Sequence, residues 1–418
     1  MKNFYKYLKF TAILISFSCT EEIPLETIGF NDVLVVEATI TNEFKYQEIK
    51  VSRTYFLEES NQRIEDNANV SIVDSQGNTY TFSQNNEGTY VSDIEFMALS
   101  NINYTLLVTT SDGKKYNSSE TQLSPLSQID DLFAEITLEG AQANKVQVLL
   151  NSNNEGSNAQ YFRYEYTETH KIVVPYYGNS DAVITNVQDN GNQFEILIVP
   201  KTENKEICFT TKASNNIIQT STNQLGNNVV NKLAIRTLDK EDVRLRDRYS
   251  IEVKQYVQSS EAYNYYKIIN DLSADESLLS ESQPGYVVGN VNALNNSNER
   301  VIGFFEVASV SSKRIFFNYE DLNLQQPPYP YDCQYRTNEL SELVPYHYNY
   351  NENHLVLDYT LAGGLGVPNQ RAQLLNFLSP LKNYQYVGGG FPTYVIVSPE
   401  CGDCTSYSSN IQPDFWVD

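Results

Sequence analysis

Apolar and polar residues alternate in short runs from Val33 to Tyr116, and turn residues divide the runs. Val33-Leu34-Val35-Val36-Glu37-Ala38-Thr39-Ile40 reads as a largely buried strand. Asn69 to Val73, Thr79 to Phe82 and Thr89 to Val91 read as short strands, separated by Ser75-Gln76-Gly77-Asn78 and Asn85-Asn86-Glu87-Gly88. Tyr104, Leu106 and Val108 then alternate with polar residues, and Asp112-Gly113 turns the chain back through Tyr116. An Asp-Gly pair between two such runs is a strong hairpin signal. Strands at this spacing predict a sandwich of the immunoglobulin-like kind over residues 30–124. Ser124-Pro125-Leu126-Ser127 reads as a linker.

The remainder, 128–418, predicts a larger β-rich domain with one or two short helices, so the fold class is mainly β. Phe162, Tyr164 and Tyr166 alternate with Arg163, Glu165 and Thr167, as a half-buried strand requires. The polar composition of residues 186–231 reads as insertions and long loops around one strand, Glu195-Ile196-Leu197-Ile198-Val199, within an inserted region around 170–235. Ile251 to Val257 is a further strand. Ser259-Ser260-Glu261 can cap a helix to about Leu272, with Ala262, Tyr265, Ile269 and Leu272 as its apolar stripe. Tyr286 to Val288, Val301 to Val310, Arg314 to Phe317 and Tyr394 to Val397 read as strands. Gln326-Pro327-Pro328-Tyr329-Pro330-Tyr331 must be extended, because proline bars both helix and ladder.

The first residues differ in kind. Lys2, Lys6 and Lys9 precede a short apolar run, Phe10 to Phe17, the layout of a signal peptide over 1–18. The run is too short to span a bilayer, which takes about 20 apolar residues. Leu14-Ile15-Ser16-Phe17-Ser18-Cys19 resembles a loose bacterial lipobox, which implies a lipidated Cys19 at the mature terminus and a tether over 19–29. Glu21 and Glu22, directly after it, resemble the acidic export signal of surface lipoproteins in the Bacteroidota. Composition narrows the partners. The net charge is -23, so no basic surface is available for phosphates and nucleic acid is not expected as a partner. The 31 tyrosines suit strands and wet recognition surfaces alike.

Four cysteines remain after Cys19: Cys208, Cys333, Cys401 and Cys404. An even number in an exported chain predicts two disulfides, with three connectivities open. Cys401-Gly402-Asp403-Cys404 has redox spacing, but the residues after it do not continue a helix that would lower a thiol pKa. A structural role is expected. His170, His347 and His354 lack metal-ligand spacing and read as exposed loop residues, so neither a metal nor another cofactor is expected. No Gly-x-Ser-x-Gly elbow, phosphate loop or His-Glu-x-x-His occurs, and no catalytic residue is assigned.

Several segments together resemble the domain-of-unknown-function family 4249: "LVVEATITN", "YTLLVTTSDGKKYNSS", "SSEAYNYYKIINDLS", "GYVVGNVNALNNSNERVIGFFEVASVSSKRIFF" and "CGDCTSYSSNIQPDFW". The resemblance implies an outer-membrane lipoprotein of Bacteroidota, anchored by lipid and facing the cell surface. It implies a place beside a TonB-dependent barrel receptor and a non-enzymatic part in cargo capture or gating, the cargo being unspecified. An accessory of another outer-membrane machine and a glycan-active enzyme are the alternatives. Tyr329 and Tyr331 are the candidate partner contacts, because aromatic residues on loops often anchor interfaces.

Overall fold

The computed structural model describes residues 33–54, 63–138, 140, 144–188, 193–274, 287–296, 299–334, 336–339, 347–351, 354–358, 385–390 and 393–418. The expected signal peptide and tether, with Cys19, Glu21 and Glu22, lie outside the described residues. The described chain is mainly β, and two modules share one strand.

In the first module Leu34–Thr41 pairs antiparallel with Glu48–Arg53. The hydrogen-bonded path continues through Tyr90–Ser92, Thr79–Gln84, Asn69–Asp74, Asn103–Thr109 and Lys115–Ser118 to Val291–Ala293. The path is continuous, and its inward side chains share one core. Alternation sets the core: Leu34, Val36, Ala38 and Ile40 point in, as do Tyr104, Leu106 and Val108. Its buried tyrosines keep partners for their hydroxyls. Tyr90 accepts from the Ala68 amide at 2.9 Å, Tyr104 accepts from the Leu99 amide at 2.9 Å, and Tyr116 donates to Glu299 at 2.6 Å.

The long strand Val301–Phe317 joins the modules. Residues 301–308 run parallel to Leu34–Thr41, and residues 309–317 pair antiparallel with Tyr249–Val257. The sequence pattern suggests two strands here, because Ser311-Ser312-Lys313 is polar. The backbone runs through without a break, since the ladder changes partner at that point. Val291, Val301, Phe305 and Val307 lie in the core of the first module. The module is therefore not confined to 30–124: a segment from far along the chain covers an edge of Leu34–Thr41 that would otherwise expose unpaired backbone. Nor is Ser124 to Ser127 a free linker. The Ser124 amide donates to Val307 O, and Ser309 N donates to Ser124 Oγ at 2.8 Å.

The second module has two facing sheets. Asp131–Thr137, Lys145–Asn153 and Val229–Asp239 form one. The other contains Tyr161–Val173, Arg248–Val257 and the second half of the long strand, with Ile207–Ala213 and Ile218–Ser221 both pairing along Tyr161–Val173. Val146, Val148, Phe162, Tyr164, Tyr249 and Ile251 fill the space between them. Two sheets around one core are the arrangement of immunoglobulin-class domains, found here in the second module. The strand expected at Glu195 to Val199 is present as Gln193–Pro200, and the region around 170–235 carries further paired strands where composition suggests loops: Ser180–Gln188 forms a hairpin with Gln193–Pro200, which pairs onward with His354–Asp358.

Helix Ser260–Ala274 begins as its sequence implies, with the Ser259 hydroxyl accepting from the Ala262 amide at 3.1 Å. Ala262 and Tyr265 pack on Phe304 and Val287, with Ile269 and Leu272 partly covered. Among the described residues no helix is long and apolar enough to cross a membrane.

Candidate functional site

The end of the second module is closed by a disulfide-bonded cap. Cys208, on strand Ile207–Ala213, bonds Cys404 with Cα atoms 5.8 Å apart. Cys333 bonds Cys401 with Cα atoms 5.6 Å apart. The Cys-x-x-Cys residues therefore do not bond each other, and each ties the C-terminal segment to a different part of the chain. Ser408 and Ser409 complete the seam: Thr210 and Ser408 hydroxyls lie 2.6 Å apart, and Phe209 N donates to Ser409 O at 2.7 Å. Trp416 packs edge-on against Phe209 and Phe316.

The cap brings together Tyr329, Tyr331 and Tyr407, but the two predicted partner contacts have different environments. Tyr329 is half-buried against Ile172, Val174 and Cys208. Its hydroxyl donates to Glu400 O at 2.7 Å, so the 2.6 Å contact with Tyr407 has Tyr407 as the donor. Tyr329 thus packs the cap. Tyr331 leans on Tyr407 with ring centroids 5.3 Å apart and remains 40% exposed. Of the pair, it is the one that offers a contact surface.

Beneath the cap lies a cavity of about 610 Å³, lined by His170, Thr210, Lys212, Arg246, Tyr331 and Tyr407 among others. His170 is not an exposed loop residue. It continues the inward face of Tyr161–Val173 after Phe162, Tyr164 and Glu168, and its strand places it on the cavity wall. Burial and the nearby Arg244 guanidinium lower its pKa to about 4, so the ring is neutral at pH 7. His347 and His354 also lie on strands, His347–Asn351 and His354–Asp358. Glu168 is buried and held by Arg236 at 3.0 Å, Arg244 at 2.6 Å and the Tyr249 hydroxyl at 2.7 Å. Burial opposes its charge, but these bonds outweigh that and hold its pKa below the ordinary carboxylate value. Asp242 is likewise committed to Arg244.

A second cavity, of about 640 Å³, lies where Leu34–Thr41 of the first module faces the helix and Tyr161–Val173. Its wall includes Arg163, whose guanidinium lies 4.3 Å from the Tyr256 ring centre and 4.9 Å from that of Tyr266. Glu306 and Glu165 pair with it. The alternation that puts Arg163 opposite Phe162 is visible in sequence. Its carboxylate partner Glu306, 143 residues away, is not.

Two loops of the first module carry an exposed apolar surface. Phe44, Tyr46, Ile94, Met97 and Leu99 are exposed, Phe44 by 67%. The loops are braced from below. Lys45 and Phe96 exchange backbone hydrogen bonds, and Ala98 N donates to Thr41 O. Gln47 is fully buried, its amide donating to Glu43 O and Phe96 O at 2.9 Å and accepting from Thr41 N. Phe96 is the anchor, stacked on Tyr80 at 4.1 Å. Sequence reading missed this surface, although the apolar residues at 94, 97 and 99 beyond the strand ending at Ser92 were a signal for it.

These features define a β-rich, two-module protein with a disulfide-bonded cap. Residues 20–314 match the family described as Domain of unknown function (DUF4249), and the chain belongs to that family. The match takes in most of both modules and leaves the Cys401 to Trp416 ending outside it. No curated protein matches the chain. Among solved structures, a cycloalternan-degrading enzyme from Trueperella pyogenes in complex with isomaltose aligns at 8% identity and a TM-score of 0.14. That alignment covers 65% of this chain and 31% of the enzyme, a likeness too weak to bear on fold or activity.

Proposed function

We propose that this protein is a lipid-anchored outer-membrane lipoprotein, facing the cell surface, that docks as a non-enzymatic accessory subunit on a TonB-dependent barrel and helps capture or gate its cargo. The observation that carries the reading is the braced pair of loops bearing Phe44, Tyr46 and Met97. Large apolar side chains held rigid in water cost little further ordering on association, and such patches mark interaction sites. The anchor is consistent in reach. Cys19 to Asp32 is 14 residues, a span of at most about 46–50 Å when fully extended. The eight-residue strand Leu34–Thr41 carries the chain about 26 Å from Val33 toward the loops. Disulfides formed by all four remaining cysteines support an exported protein.

Phe44→Asp with Met97→Asp tests the docking. In detergent-solubilised outer membrane the tagged wild-type protein should co-purify a TonB-dependent barrel, and the double variant should lose it at unchanged thermal stability. Retention of the barrel by the double variant removes the loops from the interface. Co-purification of a secretion or barrel-insertion component in its place favours the alternative assembly.

A further inference from the structure

We infer that the cavity beneath the disulfide-bonded cap is a binding site for a small ring-bearing carboxylate. The chain carries a net charge of -23, yet this cavity has its acids neutralised internally. Glu168 is answered by Arg236, Arg244 and Tyr249, and Asp242 by Arg244. Asp247 accepts from the Val173 amide at 3.0 Å, and burial raises its pKa. The uncommitted groups are donors. Lys212 makes no ion pair among the described residues and stands exposed on the strand beside His170. Arg246 spends Nη1 on Pro327 O at 2.6 Å and pairs with Asp247 through Nε at 3.9 Å, while no hydrogen bond within the described residues takes Nη2.

The lining also carries aromatic rings, and the Arg246 guanidinium lies 5.6 Å from the centre of the Tyr329 ring. Tyr331 offers an exposed ring, and the Tyr407–Tyr329–Glu400 chain of hydrogen bonds fixes the ring beside it. Cations and tyrosine rings lining one cavity of about 610 Å³ suit a carboxylate joined to a flat or sugar ring. The neutral imidazole of His170 can give or take one further hydrogen bond. Both disulfides anchor the cap, so the wall is held in place before any ligand arrives. The inference is independent of docking, since it concerns the isolated protein alone.

Isothermal titration of the purified full-length protein in detergent tests it, with galacturonate and ferulate as the two ring carboxylates. Galactose and inorganic phosphate are the controls. At least one acid should bind with Kd below about 1 mM, and which one binds tells whether the ring is a sugar or an arene. Lys212→Ala and Tyr331→Ala should each weaken it about tenfold or more with no change in melting temperature, and Lys212→Arg should restore binding. Silence from both acids at about 10 mM overturns the proposal, as does binding that ignores both variants. Phosphate or galactose binding as tightly as the acids overturns it too, because charge or ring alone would then suffice.

Discussion

Gly289→Ala probes the point where the far segment closes the first module. A Cβ at this position would stand 1.6 Å from the Gly303 carbonyl oxygen and 2.7 Å from its carbon. An ordinary carbon–oxygen contact is about 3.3 Å, so one backbone must retreat by roughly 1.7 Å. The retreating segment carries Asn290, whose Oδ1 accepts from Phe305 N at 2.6 Å and whose Nδ2 donates to Phe305 O at 2.8 Å. It also carries the Asn290 carbonyl, which accepts from Ser119 N at 2.9 Å. Three hydrogen bonds at about 0.5–1.5 kcal/mol each, with about 1–3 kcal/mol for overpacking, give a loss of roughly 2.5–7.5 kcal/mol. That is a large share of the stability of an ordinary domain, about 5–15 kcal/mol. Urea unfolding followed by far-UV circular dichroism reads it directly. Gly226→Ala is the control, because nothing lies within 4 Å of its added Cβ. If Gly289→Ala unfolds within about 0.5 kcal/mol of wild type, like an ordinary surface substitution, Gly289 does not lie against Gly303 of the long strand.

The buried carboxylate, the cap and the N-terminus can each be tested separately. Glu168 has a folded pKa below its unfolded value, so its contribution is complete above the ordinary carboxylate range and is lost as pH falls through the lowered value. Glu168→Gln should therefore flatten the acid limb of the stability–pH curve, and an unaltered limb contradicts the network. Thiol counting on unfolded, unreduced mature protein should find none free among Cys208, Cys333, Cys401 and Cys404. Cys333→Ser with Cys401→Ser should cost about 2–4 kcal/mol, and ready alkylation of Cys401 and Cys404 in the wild type would revive a redox role. Cys19→Ala should release the protein from the membrane fraction, whereas Glu21→Ala with Glu22→Ala should keep it there but shield it from external protease. Unchanged surface exposure in that variant refutes the export signal.

Local patterns made much of the fold legible. The alternation at Tyr104, Leu106 and Val108, the cap at Ser259 and the turn at Asp112-Gly113 are all set by neighbours a few residues apart. What failed was non-local. No periodicity shows that Val301–Phe317 changes partner halfway, or that Leu34–Thr41 takes a parallel neighbour from near the other end of the chain. Residues 207–221 read as loops because Asn, Thr and Ser are frequent in them, yet pairing with Tyr161–Val173 holds most of them as strands. At the candidate sites the cysteines were visible as a set, but their pairing depends on which strand the C-terminal segment lies against. The tyrosines were visible as aromatic residues on an extended segment. The separation of a packed Tyr329 from an exposed Tyr331 depends on Glu400 and Tyr407, more than 70 residues further on.

Site-specific photo-crosslinking in intact cells tests the docking reading most directly. A photoreactive residue is placed in turn at Phe44, Met97 and Tyr331, and at Gln76 in an exposed turn of the first module, and the captured protein is identified by mass spectrometry. Docking through the braced loops predicts a crosslink to a TonB-dependent barrel from Phe44 and Met97 and none from Gln76. Capture of that barrel from Tyr331 alone, or of no barrel from any position, contradicts it.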